Sequence, residues 1–185
     1  MQVTFRILRF NPEVDKEPHF EDYRFEGHEN MTVLDCLHKI KWEHDGSLAF
    51  RRSCAHGVCG SDGMRINGRN HLACSTLLKD INTKKPVVIE PLPAMPIIKD
   101  LILDMTDFYE KYKAVKPYLI NNTPVTEDSE RLQSNADAEK LFESAKCILC
   151  ACCTTSCPST WTNNNYIGPA ALLKAYRFVF DTRDE

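Results

Sequence analysis

Nine cysteines, Cys36, Cys54, Cys59, Cys74, Cys147, Cys150, Cys152, Cys153 and Cys157, are the residues of this chain whose type and spacing can do chemistry. The thiolate is both a nucleophile and a metal ligand, so grouped cysteines offer disulfides or metal coordination. Their number is odd, and Cys152 beside Cys153 inside a run of five makes poor disulfide geometry. Secreted disulfide scaffolds are also shorter chains that carry a secretion signal. Here the start, Met1-Gln2-Val3-Thr4-Phe5-Arg6, goes straight into strand-like alternation, without the look of a signal or transit peptide. Clustered cysteines in a reducing compartment read as metal ligands.

The first set is Cys54-Ala55-His56-Gly57-Val58-Cys59, a C-x4-C spacing, followed by Asp62 and then by Cys74. Plant-type ferredoxins hold a [2Fe–2S] cluster with C-x4-C-x2-C and a distant fourth cysteine. The spacing here is the same except that Asp62 stands where the third cysteine would be. Gly57, Gly60 and Gly63 give the loop the freedom to wrap closely and aim its N–H groups at sulfides. Three thiolates and a carboxylate could also hold a zinc ion. Zinc sites usually pair cysteines as C-x2–4-C, so the two-iron reading is preferred. Asp62 is read as an iron ligand, against the plainer role of capping a turn, and His56 as a solvated loop residue.

The second set, Cys147-Ile148-Leu149-Cys150-Ala151-Cys152-Cys153-Thr154-Thr155-Ser156-Cys157-Pro158, contains C-x2-C-x2-C-x3-C-P. That is the bacterial-ferredoxin run, in which three cysteines bind one cubane and the fourth reaches another cluster. Cys152 falls out of register and is expected to be a buried thiol that ligates nothing.

Elements must position these loops. Val3, Phe5 and Ile7 alternate with Thr4 and Arg6, the period of a half-buried strand, and Tyr23-Arg24-Phe25 offers a partner. Thr32 with Asp35 opens a helix as a capping-box variant, with Val33, Cys36, Leu37 and Ile40 on one face, so Cys36 is read as a core residue. Phe50 to Gly68 reads as irregular, and Val87 to Glu90 as a short strand between Pro86 and Pro91. The stretch from Pro91 to Pro96 is expected to be extended. Ile98, Leu101, Ile102, Met105, Phe108, Tyr109 and Tyr112 then predict an amphipathic helix at a domain boundary. Lys116 to Ala136 reads as a polar surface connection, a short helix leads into Cys147, and Gly168-Pro169 opens a final helix. The charged residues Asp181 to Glu185 suggest no element.

A net charge of −3 argues against a nucleic-acid partner, which asks for a basic patch or stripe. The longest apolar runs fall far short of the ~20 residues a membrane span needs. No Ser–His–Asp set, P-loop or dinucleotide-binding glycine fingerprint occurs, so any chemistry at carbon is expected on a partner.

A plant-type set followed by a bacterial-type run resembles the layout of the iron–sulfur subunits of succinate dehydrogenase and fumarate reductase. The likeness is closest at Arg51-Arg52-Ser53-Cys54, Cys59-Gly60-Ser61-Asp62-Gly63-Met64, Leu72-Ala73-Cys74, Glu90-Pro91-Leu92-Pro93, Lys116-Pro117-Tyr118-Leu119, Cys147 to Ser159, and Ile167-Gly168-Pro169-Ala170. The resemblance implies an α+β chain. A β-grasp plant-type ferredoxin domain would span residues 1–105, and an incomplete α-helical bacterial-ferredoxin-like domain residues 106–185. It implies that Cys54, Cys59, Asp62 and Cys74 hold [2Fe–2S], that Cys147, Cys150 and Cys153 hold [4Fe–4S], and that Cys157 holds [3Fe–4S]. Electrons would come from a flavoprotein, carrying FAD, that oxidises succinate. They would go to a quinone near Pro158, Ser159 and Trp161 at cytochrome b-type membrane-anchor subunits. Aspartate at the third position tilts the reading towards succinate dehydrogenase; a fumarate reductase subunit and a free-standing [2Fe–2S] carrier are the alternatives. The family has two adjacent tryptophans where this chain has only Trp161. Its three further ligand cysteines lie downstream of this run, so the expectation is a fragment, or a separate chain that supplies them. The implied location is peripheral, on the inner face of a bacterial cytoplasmic membrane or the matrix face of the mitochondrial inner membrane.

Overall fold

The computed structural model describes residues 1–125 and 130–185; residues 126–129, within the expected polar connection, lie outside the described part. Strand β1 (Gln2–Arg9) turns Val3, Phe5 and Ile7 into the core as their alternation requires. It pairs antiparallel with β2 (His19–Glu26), Phe5 opposite Tyr23 and Val3 opposite Phe25. Helix α1 (Val33–Glu43) starts at the expected capping box: Thr32 Oγ1 accepts from Asp35 N, and Asp35 Oδ2 accepts from Thr32 N. Its buried face is Val33, Leu34, Cys36, Leu37 and Ile40, and burial pushes the Cys36 thiol up to about 12. A thiol held neutral in this way is a core residue, as expected.

Strands β3 (Gly63–Ile66) and β4 (Arg69–Leu72) form a hairpin, and Cys74 follows in a single 3-10 turn, Ala73–Ser75. Gly63–Ile66 corrects the irregular reading of that stretch: four residues between glycines are too few for their alternation to show. Strand β5 (Val87–Glu90) enters the middle of the sheet, parallel to β1 and antiparallel to β3, giving the order β2-β1-β5-β3-β4.

The helix expected from Ile98 begins later than its apolar residues suggest. Ile97–Lys99 and Ile102–Leu103 are strands β6 and β7 of a small hairpin, and α2 runs from Thr106 to Ala114. Pro91 to Pro96 includes a turn at Ala94, φ 60°, in place of a fully extended run. The reason for the hairpin is Asp100, at its turn with φ 47° and only 1% exposed. Its Oδ1 accepts from Arg9 Nε at 3.0 Å and Phe10 N at 2.9 Å, and its Oδ2 from Ala49 N at 2.8 Å. Arg9 is the next inward residue of β1 after Ile7, so the strand period itself drives a guanidinium into the core. There it also meets Glu21, Ser47, Tyr23 and Asp45.

Within this network, partial burial opposes the charge of Asp45, but hydrogen bonds from Ser47, Arg9 and Tyr23 outweigh it and hold its carboxyl well below the usual range. A carboxyl whose folded pKa is depressed stabilises the fold above its unfolded value, near ~3.9, and loses that contribution as pH falls. The urea midpoint is therefore expected to stay level from pH 7 to about 5 and to drop below about 4. Asp45→Asn should lower the midpoint at pH 7 and flatten the drop; an unchanged acid limb would count against this role.

Four helices form the rest: α3 (Asn135–Ala145), capped by Ser134 accepting from Asp137 N, α4 (Cys152–Thr155), α5 (Pro158–Thr162) and α6 (Gly168–Val179). Two apolar clusters result. The larger lies between α1 and the sheet; the smaller joins Leu92, Leu103, Phe108, Ala151 and Ala170. The charged residues after α6 do have a place. Asp181 is buried with Arg177 and Arg183, and Glu185 takes Asn122 N and the Thr123 hydroxyl.

Candidate metal centres

The loop from Phe50 to Asp62 contains no strand or helix, so its backbone N–H groups need other acceptors. Several find sulfur. Cys54 Sγ accepts from His56 N at 3.5 Å, Val58 N at 3.4 Å and Cys59 N at 3.3 Å, while Cys59 Sγ accepts from Cys54 N at 3.4 Å and lies 3.1 Å from Ser61 Oγ. Left-handed residues make this possible: Ala55, Gly57 and Gly60 have φ of 58°, 78° and 68°. Such a chain of turns forms a nest that favours negative charge. These bonds, led by that from His56 N–H, bring the Cys54 thiol down to about 7. Donors already trained on the sulfurs are what a negatively charged iron–sulfur group requires, so the residues fit it.

Cys74 faces the same loop. Burial, then the neighbouring Asp62 carboxyl, pushes its thiol up to about 11, against the pull of Gly57 N–H. Asp62 is 3% exposed, and its Oδ2 accepts from Cys74 N at 2.5 Å. Thus the four residues expected around the first centre come together, with Asp62 also tying the turn that carries Cys74. His56 is exposed, its ring beside Cys54 O.

In the second set, Cys147, Cys150 and Cys153 border one open cavity of about 290 Å³, lined also by Leu149, Ala151, Ala170 and Leu173. Leu149 and Ala151, with φ of 56° and 63°, reverse the backbone between the cysteines. Hydrogen bonds, first from the Cys152 thiol and then from backbone N–H groups, bring Cys150 down to about 6 against the effect of burial. Cys152 is half-buried and off the cavity border. Cys157 is also off that border; it precedes α5, where the N–H groups of Thr160 and Ser159 lower its pKa. Three thiols around one cavity and a fourth elsewhere is the division that C-x2-C-x2-C-x3-C-P makes. Among the described residues, no three His, Cys, Asp or Glu side chains are gathered tightly enough to hold a single metal ion.

Pro158 and Ser159 are exposed at the start of α5. Trp161 is 55% exposed, donates Nε1–H to Thr155 O at 2.8 Å, and with Arg65, His71 and Ser156 borders a cleft of about 580 Å³. Pro158 and Ser159 do not line that cleft.

What the motif spacing does not reveal is that the two loops touch. A methyl on Gly60 would come 2.8 Å from Ile148 O, 2.9 Å from Cys150 Cβ and 3.0 Å from Cys150 Cα. Beside this contact Asn70 Nδ2 faces Cys152 O, Thr155 Oγ1 and Ser156 Oγ at 3.2, 2.9 and 2.8 Å, fastening β4 to α4. The one available signal was a glycine directly after Cys59.

Residues 4–110 match the family model of a 2Fe-2S iron-sulfur cluster binding domain. The succinate dehydrogenase iron-sulfur subunit of Coxiella burnetii is 51% identical over 185 residues, which cover 98% of this chain and 77% of that protein. The chain belongs to the succinate dehydrogenase iron–sulfur subunit family. Subunit 3 of the mitochondrial succinate dehydrogenase (ubiquinone) iron-sulfur proteins of Arabidopsis thaliana is 49% identical, with 98% of this chain and 59% of that protein covered. Among solved structures, a chain of the Mycobacterium smegmatis Sdh1 complex in the apo form superposes with a TM-score of 0.90 at 26% identity, covering 100% of this chain and 77% of that one. Membership of the succinate dehydrogenase iron–sulfur subunit family makes this chain an iron–sulfur, electron-transferring component of an oxidoreductase complex associated with a membrane. No helix among the described residues is long and apolar enough to cross a membrane.

Proposed function

We propose that the chain carries electrons from a flavoprotein that oxidises succinate to a quinone at membrane-anchor subunits. The observation that carries this reading is the direct packing of the Cys54–Asp62 loop on the Ile148–Cys150 backbone. A carrier that used its first centre alone would have no need of that packing. In this reading residues 1–105 form a β-grasp plant-type ferredoxin domain and residues 106–185 a helical bacterial-ferredoxin-like unit. Cys54, Cys59, Asp62 and Cys74 would hold [2Fe–2S]. Cys147, Cys150 and Cys153 would hold [4Fe–4S], and Cys157 would contribute to [3Fe–4S], with further ligands supplied from beyond these residues.

When bound, these groups supply one-electron redox chemistry; the protein supplies their setting. The N–H groups of His56, Val58 and Cys59 stabilise negative charge on sulfur, which favours the reduced state. Pro158, Ser159 and Trp161 would face the quinone, and the complex would sit on the inner face of the cytoplasmic membrane or the matrix face of the mitochondrial inner membrane.

The test uses the complex recovered from source membranes through a tag on this chain. A flavoprotein and membrane anchors should come with it, and succinate should produce the paramagnetic signal of a reduced two-iron centre. A colourless, zinc-containing preparation would end the reading. In the same complex Asp62→Asn, which keeps an acceptor for Cys74 N but replaces a carboxylate by a neutral amide, should shift the midpoint potential of that centre. An unchanged potential would leave Asp62 as a turn cap only.

A further inference from the structure

We infer that Gly60 and Gly63 set the gap that an electron crosses between the two centres, and that Cys150 is the ligand on the receiving side. This rests on the two-centre reading above. Gly60 brings the first loop into backbone contact with Ile148 and Cys150. Gly63, three residues on and already in β3, does the same from the sheet: a methyl there would come 2.9 Å from Cys150 O and 3.4 Å from Cys152 Sγ. Both contacts converge on one residue of the second set. Cys150 borders the second cavity, whereas its neighbour Cys152 does not.

Electron transfer through protein weakens steeply with separation, and each added atom in a packed contact forces the loops apart, because interiors are close-packed and cannot absorb a methyl freely. Two absent side chains at one point, on opposite flanks of Asp62, therefore shorten the path between centres. The step moves one electron and makes or breaks no bond.

The turn between β3 and β4 offers a control. Gly68 has φ of 81°, like the 68° of Gly60, so alanine at either position meets the left-handed cost of a Cβ. A methyl on Gly68, however, meets only the end of the Arg65 side chain, at 4.0 Å. Gly63 lacks the positive φ but has the close approach. Gly68→Ala is thus strain without obstruction, Gly63→Ala obstruction without strain, and Gly60→Ala both.

The experiment takes the membrane-derived complex with each substitution and measures the microwave-power saturation of the reduced two-iron signal, with the second centre oxidised and then reduced. Wild type should show faster relaxation when both are reduced. Gly60→Ala and Gly63→Ala should lose that enhancement and slow the transfer between centres, while each centre keeps its own spectrum. Gly68→Ala should retain it. If Gly60→Ala does not assemble, Gly63→Ala decides alone. Enhancement of wild-type size in Gly63→Ala, or an equal loss in Gly68→Ala, overturns the inference. Absence of iron signals from the wild-type complex would instead sink the two-centre reading, and this inference with it.

Discussion

Replacing Arg9 with alanine is expected to cost about 3–5 kcal/mol, the largest single-residue loss of stability in the β half of the chain. The guanidinium sits at the inner end of β1 and answers five acidic or hydroxyl partners there. Its removal leaves Asp100, 1% exposed, with a buried charge and only backbone donors. Uncompensated buried charge is far more costly than the loss of an exposed pair, which is worth ~0–1 kcal/mol. Total stabilities of ~5–15 kcal/mol make this a large fraction, and the melting point should fall by roughly 6–20 °C. Arg6→Ala is the internal comparison: the Arg6–Asp22 pair has the same chemistry on the exposed face of the same strand, with side chains 47% and 38% exposed. It should cost less than about 1 kcal/mol. Comparable losses at positions 6 and 9 would show that burial does not set the scale.

The second large effect is expected in the helical half. Among the described residues its apolar cluster has five buried members, two of them alanines and two, Leu92 and Leu103, lent by the β half, while Phe142, Leu172, Val179 and Phe180 remain exposed. So small a core cannot hold α4 to α6 firmly by burial alone, and ligation at Cys147, Cys150 and Cys153 would supply the rest. Cys150→Ala should therefore abolish the second centre, leave the first centre's signal in place, and open the segment between Lys146 and Gly168 to protease. About 1.4 kcal/mol of lost local stability already raises the open population tenfold, so cleavage there should accelerate by roughly that factor or more. Residues 1–90, closed by the five-stranded sheet, should stay protected. Equal protection of both halves would mean that the helices do not depend on their metal.

The parts legible in the sequence were those whose rule is local. The capping box at Thr32 and Asp35 lies within one turn, the Val3–Phe5–Ile7 alternation within one strand, and each cysteine motif within one loop. All three could be read from spacing alone, and so could the final helix from Gly168. The segment from Ile98 to Met105 was misread because its apolar residues satisfy helix and hairpin equally well. What decides is Asp100, held by Arg9 across 91 positions of sequence. The meeting of Gly60 with Cys150 was equally out of sight: spacing gives the candidate ligands of each loop but not the docking of one loop on the other. Asp62 was legible as a residue in the third ligand position, while its bond to Cys74 N depends on a turn that only the fold displays.

The central place of β5 has a consequence for how the protein is made. β3, which starts directly after Asp62, gains its inner neighbour only when Glu90 pairs with Arg65. The other root of the same loop, Ala49, is clamped by Asp100 and Leu101. Both anchors of the first cysteine loop are thus supplied by residues 87–101, synthesised well after Cys74. During translation the loop must emerge slack, with its thiols unshielded, and it tightens only when this later stretch leaves the ribosome. Iron loading of the first centre accordingly belongs after that moment, and the order of biogenesis is written into the strand order of the sheet.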